Sequence, residues 1–503
     1  MSREQAPGPG GSSTVGSRTL VRNIGWVSLG QVVTTLLSVL KMAIAARVMI
    51  DETLGIYALL LLYAQLGYSL GGLEQSGALL HFRRLTDAQL NTLLYSSLVL
   101  TGLVSGLTIL VGFFEFSEEY LGFLALLALS LLPRVIDEHY RALRLRDHEH
   151  RFNTRVLLGS TVLGNCFSIV GLLLDAGLAA LVWGMLLQIG ISAAWQSWSA
   201  RSRFAERDYR TLAPLGELRD VWRFSAWQLA QRLLNLGSSR LDRAVILWGF
   251  GLGTLGAYEL AVQLCYKPFL FVGNIVARIF APVYAQDQAE PERINARYLD
   301  KLSVLVWLQL PIYAVMIWQA EMITELVYGP NWPRTALAIQ ALGVLGMAKA
   351  VSNPIGAYLV GLGRPDIGAY QNLIGLVGFG VLLLPGAATD RYELTLWLYA
   401  AGGALLTLAY DAAARWRVSR MPFWTTWRQL AVWSMLLAVL IALGELALSQ
   451  ADVVRTAWSA MLISSLVATL FLGVSYLSAP GLQRILTAGR NQLPLSSQAS
   501  QVD

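Results

Sequence analysis

The chain has 503 residues, 55% of them hydrophobic and only 14% charged, with a net charge of +6. A soluble chain carries about 25% charged residues, so this composition excludes a plan of two or three soluble domains and points to a polytopic membrane protein. The positive balance does not imply nucleic acid, because most of the Arg residues fall in short connections between apolar runs.

In chain order, residues 1–20 come first, polar and rich in Pro, Gly and Ser, and are expected to form a disordered cytoplasmic tail. A spanning helix needs about 20 mostly apolar residues. Fourteen candidates follow, starting near Ile24, Leu54, Asn91, Tyr120, Val156, Gly177, Phe224, Leu255, Leu299, Thr335, Gly368, Leu394, Leu430 and Trp458. The even-numbered connections hold many basic residues, among them Arg83, Arg84, Arg141, Arg144, Arg146, Arg364 and Arg415; the opposite side holds few, plus the acidic stretch Glu115–Tyr120. This asymmetry puts both termini in the cytoplasm.

The longest inside connection, Ala200 to Asp220, is basic, contains Pro214 and follows the sixth span. It is a candidate joint. The expected fold class is therefore an all-α polytopic membrane protein with about 14 transmembrane helices. Helices one to six occupy residues 21–199, a cytoplasmic linker 200–220, helices seven to twelve 221–415, two extra helices 416–480, and a cytoplasmic tail 481–503.

An internal repeat supports two six-helix lobes. "TLGIY" at Thr53–Tyr57 recurs as "TLGAY" at Thr254–Tyr258, each between the first two spans of its half. The same offset aligns Gln31 with Arg232, Thr34 with Asn235, Ser38 with Ser239 and Lys41 with Asp242. Six spans per unit is even, so the copies share one orientation: a parallel pseudo-twofold repeat about the membrane normal.

The polar residues fall on faces. At 100° per residue, Gln228, Gln231, Arg232, Asn235, Ser239, Asp242 and Arg243 share about a third of one helix. Span one repeats this with Gln31, Thr34, Thr35, Ser38 and Lys41, and span eight adds Glu259, Gln263, Lys267, Asn274 and Arg278. Each charge at mid-span costs about 2.5–3.5 kcal/mol on insertion scales, so these faces must meet protein, water or a ligand. One reading is mutual pairing, Lys41 with Asp242 and Arg243 with a neighbour, locking the halves together. The other is a hydrated cavity with a net positive wall, since Lys41, Arg232, Arg240, Arg243, Lys267 and Arg278 face only Asp242, Glu259 and, at the margin, Glu74. Such cations suit a diphosphate. The substrate-binding candidates are Lys41, Arg232, Arg243, Lys267, Arg278, Asp242, Asn235 and Gln31. Lys267, followed by Pro268, leads them, and Lys349 beside Ser352 and Asn353 is secondary.

Other signals carry less. "GLGTLG" at Gly251–Gly256 matches a nucleotide fingerprint but joins two spans with no strand before it. "DHEH" at Asp147–His150 does not gather ligands on one helix face. Cys166 and Cys265 have no ligand spacing and suit apolar packing. No Walker motif, catalytic triad or metal pattern occurs, so no catalytic residue, metal or cofactor is expected.

With these residues in view, the chain resembles the Wzx-type lipid-linked oligosaccharide flippases, the polysaccharide transporters of the MATE-like (MOP) exporter superfamily. The matching stretches are "AARVMIDETLGIYAL" after span one, "YRALRLRDHEHRFN" after span four, "FAPVYAQ" after span eight, and "LVYGPNWPRTALAIQALGVLGMAKAVSNPIGAYLVGLGRPDI" at Leu326–Ile367. The Gly-x-x-Trp turn, "NPIG" and "GRPDI" in the last stretch are similar to the colanic-acid-exporter-like branch. The resemblance implies two lobes around a cavity and flipping of undecaprenyl-diphosphate-linked repeat units across the inner membrane for exopolysaccharide, O-antigen or capsule synthesis. It implies a lipid-linked oligosaccharide and membrane lipid as partners, with a polysaccharide polymerase and a chain-length regulator as further candidates, and no enzyme activity. Two alternatives stay open: a MATE-like small-molecule exporter and a membrane polysaccharide polymerase or ligase.

Overall fold

A computed structural model describes residues 17–72, 75–82, 85–147, 149–203, 208–286, 291–361, 364–420, 423–450 and 457–478. The described residues form helices and connections, with no strand among them. The first half of the chain runs α1 (Ser17–Val48), α2 (Asp51–Gly71), α3 (Gln75–His81), α4 (Asp87–Glu115), α5 (Glu118–Leu129), α6 (Leu131–Arg146), α7 (His150–Leu173) and α8 (Gly177–Arg203). The second half opens with α9 (Arg219–Gln286), then α10 (Pro291–Trp318), α11 (Ala320–Tyr328), α12 (Pro333–Ser352), α13 (Ile355–Gly361), α14 (Pro365–Ala388), α15 (Tyr392–Trp397) and α16 (Gly403–Ser419). Last come α17 (Phe423–Gln450) and α18 (Ala457–Ser478), packed on each other and on α10.

Local chemistry explains several boundaries. α4 starts at a reciprocal cap: the Gln89 amide donates to Thr86 Oγ1 at 3.3 Å, and the Thr86 amide donates to Gln89 Oε1 at 3.0 Å. Pro333 and Pro365 open α12 and α14, where a missing N–H costs nothing. α9 is two helices joined at Gly251, whose φ of 79° interrupts the helical path. Only glycine adopts that backbone without strain.

Ten stretches among the described residues are long and apolar enough to cross a membrane, and the chain is a multi-pass membrane protein. One of the ten, Leu215–Gly273, is 59 residues long and contains the Gly251 break, so it holds both the seventh and eighth expected spans. Shorter apolar helices at Ala431–Leu446 and Leu462–Leu477 match the last two. The expected twelfth span is divided between α15 and α16 and carries the buried charges Asp411 and Arg415. The expected count of about 14 is therefore not reproduced by length and apolarity alone. Outward-facing apolar side chains on α4, including Leu103, Leu107, Leu110 and Phe114, are exposed, as helices in lipid require.

The repeat is visible as a contact. α2 packs along α9, and the two copies of the motif meet there. A methyl group on Gly55 would overlap the Leu252 carbonyl oxygen, and one on Gly256 would overlap the Asp51 carbonyl oxygen. The repeat offset maps Asp51 onto Leu252 and Gly55 onto Gly256, so this is one contact made twice, as a twofold relation requires.

The connection at 200–220 is not a free strand where it is described. Asn91 Nδ2 donates to the carbonyls of Asp208 at 2.7 Å and Thr211 at 2.9 Å. Thr92 Oγ1 donates to the Ala213 carbonyl at 3.0 Å and accepts from the Ala213 amide at 2.9 Å. The segment 208–213 is thus strapped to α4, and Leu218 is buried beside Leu90 and Leu93.

Candidate functional site

The polar faces of α1 and α9 come together, but their charges sort into separate places. The first is a buried ion cluster. Arg243 Nε donates to Glu259 Oε2 at 2.7 Å, and its NH1 donates to Asp242 Oδ1 at 3.1 Å and to the Ser239 carbonyl at 3.2 Å. Tyr258 donates its hydroxyl proton to Asp242 Oδ2 at 2.8 Å, and Tyr399 does so at 3.5 Å. Asp242 and Arg243 are only 1% and 5% exposed. Arg240 lies within electrostatic range of both carboxylates, which balances the second negative charge.

This arrangement corrects the expected pairing of Lys41 with Asp242. Asp242 is satisfied by Arg243 and two tyrosines on its own half of the chain, because the adjacent guanidinium and Tyr258, on the facing helix of the Gly251 hairpin, reach it directly. Arg243 and Asp242 are thus buried and paired within the second half of the chain, which matches the reading in which Arg243 pairs with a neighbour. A guanidinium held by two carboxylates has its charge cancelled and its donors occupied.

The second place bridges the halves. Lys267 Nζ donates to Ser38 Oγ at 2.9 Å, linking α9 to α1. Lys41 follows Ser38 by one helical turn and lies within electrostatic range of Lys267; Glu259 is also in range. Both lysines are half-buried. Neither has a carboxylate within 4.0 Å among the described residues. Two half-buried ammonium groups thus lie within electrostatic range of each other where α9 meets α1, and the Ser38 hydroxyl holds that of Lys267.

The remaining candidates lie around these two. Arg232 stacks on Tyr68 of α2, its guanidinium 4.7 Å from the ring centre, while Arg134 of α6 stacks on the same ring at 4.0 Å. Gln31 is half-buried on α1, where its carbonyl accepts from Thr34 Oγ1 at 3.1 Å. Asn235 is exposed and lines a half-open cavity of about 320 Å³ in the second half of the chain. Lys349 lines the same cavity and donates to the Tyr266 hydroxyl at 2.8 Å. The side chains of Arg278 and Asn274, as well as Glu74 and His148, lie outside the described residues. Cys265 is buried, whereas Cys166 is exposed on α7 rather than packed inside.

Sequence reasoning passed over Arg134 and Tyr68. α6 carries a polar face of its own, including Asp137, Glu138 and Arg141, so Arg134 did not stand out, and only the packing of α2 against α6 and α9 brings both guanidinium groups to Tyr68. It also counted Arg415 as a loop cation. Arg415 is 2% exposed and donates from NH2 to Asp411 Oδ2 at 3.0 Å. Spacing of four on one helix was the available signal for that pair.

Comparison with known proteins places this architecture. A family model described as a polysaccharide biosynthesis protein matches residues 44–337, more than half of the chain. The chain belongs to this polysaccharide biosynthesis family. Within the family's reach, it is 24% identical over 338 residues to the teichuronic acid biosynthesis protein TuaB of Bacillus subtilis, covering 66% of this chain and 68% of the relative. It is 21% identical to the lipopolysaccharide biosynthesis protein WzxC of Escherichia coli, covering 68% and 70%. It is 25% identical to the succinoglycan biosynthesis transport protein ExoT of Rhizobium meliloti, covering 76% and 78%. Among solved structures, the lipid II flippase MurJ in an inward closed conformation matches with a TM-score of 0.73 and 12% identity, over 90% of this chain and 99% of that one. An inward-facing multidrug resistance MATE transporter of the MOP superfamily matches with a TM-score of 0.57 and 15% identity, over 79% and 95%. This member of the polysaccharide biosynthesis family thus has the fold of those transporters.

Proposed function

We propose that the protein flips undecaprenyl-diphosphate-linked oligosaccharide repeat units across the bacterial inner membrane by alternating access, with both termini cytoplasmic and no catalytic chemistry of its own. The observation that carries this reading is the Lys267–Ser38 bridge with Lys41 beside it, two half-buried cations between the halves of the chain. A diphosphate brings the opposite charge to that point. The names of TuaB, WzxC and ExoT, all tied to polysaccharide biosynthesis or transport, support the same substrate class.

In this mechanism the first half, residues 21–199, and the second, residues 221–415, act as two lobes. The diphosphate engages Lys41 and Lys267, and Arg232 and Arg278 supply further positive charge along the path. Gln31 and Asn235 offer neutral hydrogen bonds to the sugars. Asp242, Arg243 and Glu259 set the shape of the wall rather than touch substrate. The tail stays in lipid, and the outer contact of Gly55 with Gly256 opens to release the head group. A polymerase and a chain-length regulator of the same pathway would receive the flipped unit. A cationic site of this kind disfavours export of organic cations.

The reading is tested in cells that lack the protein. Lipid-linked repeat units accumulate on the cytoplasmic side, and expression of the wild-type chain clears them and restores surface polymer. Accumulation on the outer side instead would point to a polymerase or ligase and end the flippase reading.

A further inference from the structure

We propose that the Gly-x-x-Trp turn at Gly329–Trp332 is a latch: it holds the two halves of the chain together at the outer end and opens once in each transport cycle. The proposal rests on the alternating-access reading above and adds the device that keeps the outer side shut. The turn follows α11 in the second half of the chain, and α11 packs on α1 of the first half. The contact sits where α1 ends and α2 begins, the same end of the bundle as the Gly55–Gly256 contact.

The latch is an exchange of helix caps. The last turn of an α-helix leaves carbonyls without partners. At the end of α11 the Gly329 amide donates to the carbonyls of Thr324 and Glu325, at 3.2 and 2.9 Å. The next two carbonyls go to Arg47 of α1, whose NH2 donates to Leu326 at 2.5 Å and whose Nε donates to Val327 at 3.4 Å. At the end of α1 the Met49 amide donates to the Ala45 carbonyl at 2.8 Å, and the Trp332 indole N–H donates to the next one, Ala46, at 3.0 Å. Each half thus supplies the cap that the other half's helix lacks. Arg47 also brings positive charge to the negative end of α11. Gly329 makes the exchange possible, because its φ of 101° is one that only glycine adopts without strain.

The bonds suit repeated opening. The turn is fastened to its own half by the Tyr328 hydroxyl, which donates to the Leu260 carbonyl at 3.0 Å, and by that of Thr335, which donates to the Ala257 carbonyl at 2.9 Å. It therefore moves with α9 when the halves part, and the Arg47 and Trp332 bonds are the ones that break. Arg47 is exposed and bonds carbonyls, not a carboxylate. Trp332 is buried in a core that mixes both halves, with Met42 and Ala46 from α1 and Leu260 from α9. Once apart, the carbonyls and the guanidinium are taken up by water, and an indole is favoured at a membrane interface. Opening leaves no buried charge unpaired, in contrast to the Arg243 cluster.

The test places one reporter, Gln263→Cys on the polar face of α9, in a full chain carrying Cys166→Ala and Cys265→Ala. A membrane-impermeant maleimide then labels it in right-side-out and in inverted vesicles. Trp332→Phe keeps a buried ring and removes the N–H; Arg47→Gln removes the cationic cap. Each raises the labelling rate from outside about three- to tenfold and lowers it from inside, as a shift from closed to open on the outer side requires. Arg47→Lys can still donate to the carbonyls and stays nearer the wild type. Arg391→Gln removes a charge from the same side without touching the turn and leaves both rates unchanged. Arg47 is exposed, so its variants keep the test readable if Trp332→Phe unfolds. Outside labelling that does not rise overturns the proposal. So does labelling that rises from both sides, the sign of a loosened fold, or an Arg391→Gln effect equal to that of Arg47→Gln. In cells, wild-type rescue of polymer export alongside these negative results removes the latch and leaves the flippase reading standing. Failure of the wild type to rescue export removes the flippase reading itself.

Discussion

Gly256 approaches Gly55 so closely that a β-carbon on Gly256 would lie 2.8 Å from the Gly55 amide nitrogen. The two glycines hold the same place in the two copies of the sequence repeat. Small residues let helix backbones meet where lipid gives no hydrophobic drive for association. Gly55→Leu or Gly256→Leu therefore pushes α2 and α9 apart and holds the contact open. The expected outcome is loss of polymer export with normal membrane insertion. Cross-linking between cysteines placed at Asp51 and Leu252 should fall in step.

The bridge and the buried cluster predict opposite phenotypes for two neighbouring cations. Lys267→Ala removes a substrate contact and leaves no buried charge unpaired, so export falls at least tenfold while the unfolding temperature stays close to the wild type. Lys267→Arg retains part of the export, since a guanidinium also binds phosphate. Full export by Lys267→Ala would take Lys267 out of the site.

Arg243→Ala behaves differently. It leaves Asp242 and Glu259 facing each other without their shared partner. Breaking a buried pair from one side costs about 3–5 kcal/mol. The expected result is a marked loss of folded protein in the membrane, measured by yield and thermal unfolding. Asp242→Asn softens this loss, because Arg243 keeps Glu259.

The strap on α4 predicts a protease phenotype. Asn91→Ala and Thr92→Val each remove two hydrogen bonds that hold residues 208–213. Each bond contributes about 0.5–1.5 kcal/mol. The double variant should expose the connection to cleavage at its basic residues while the helices stay intact. Unchanged cleavage would mean that burial of Leu218 alone anchors the segment.

Much of the fold was legible because lipid imposes a simple rule. Backbone groups must be satisfied within each crossing segment, so long apolar runs such as Asp87–Glu115 announce themselves. The π-helical turn Leu398–Gly402 between α15 and α16, inside the twelfth expected span, was not legible because its residues are as apolar as their neighbours, and only packing shows that Asp411 and Arg415 are buried together.

The candidate site was legible as a list of polar residues and not as a map. By itself the sequence determined the helical class, the charge stripes and the TLGxY repeat, because period and composition are local properties. Tertiary structure alone decided that Arg243 is quenched by Glu259 and Asp242, that Lys267 reaches Ser38, and that Arg134 and Arg232 share Tyr68. The reason is physical: a charge at membrane depth takes whichever partner lies within a few ångströms, and that distance is set by helices folding against one another.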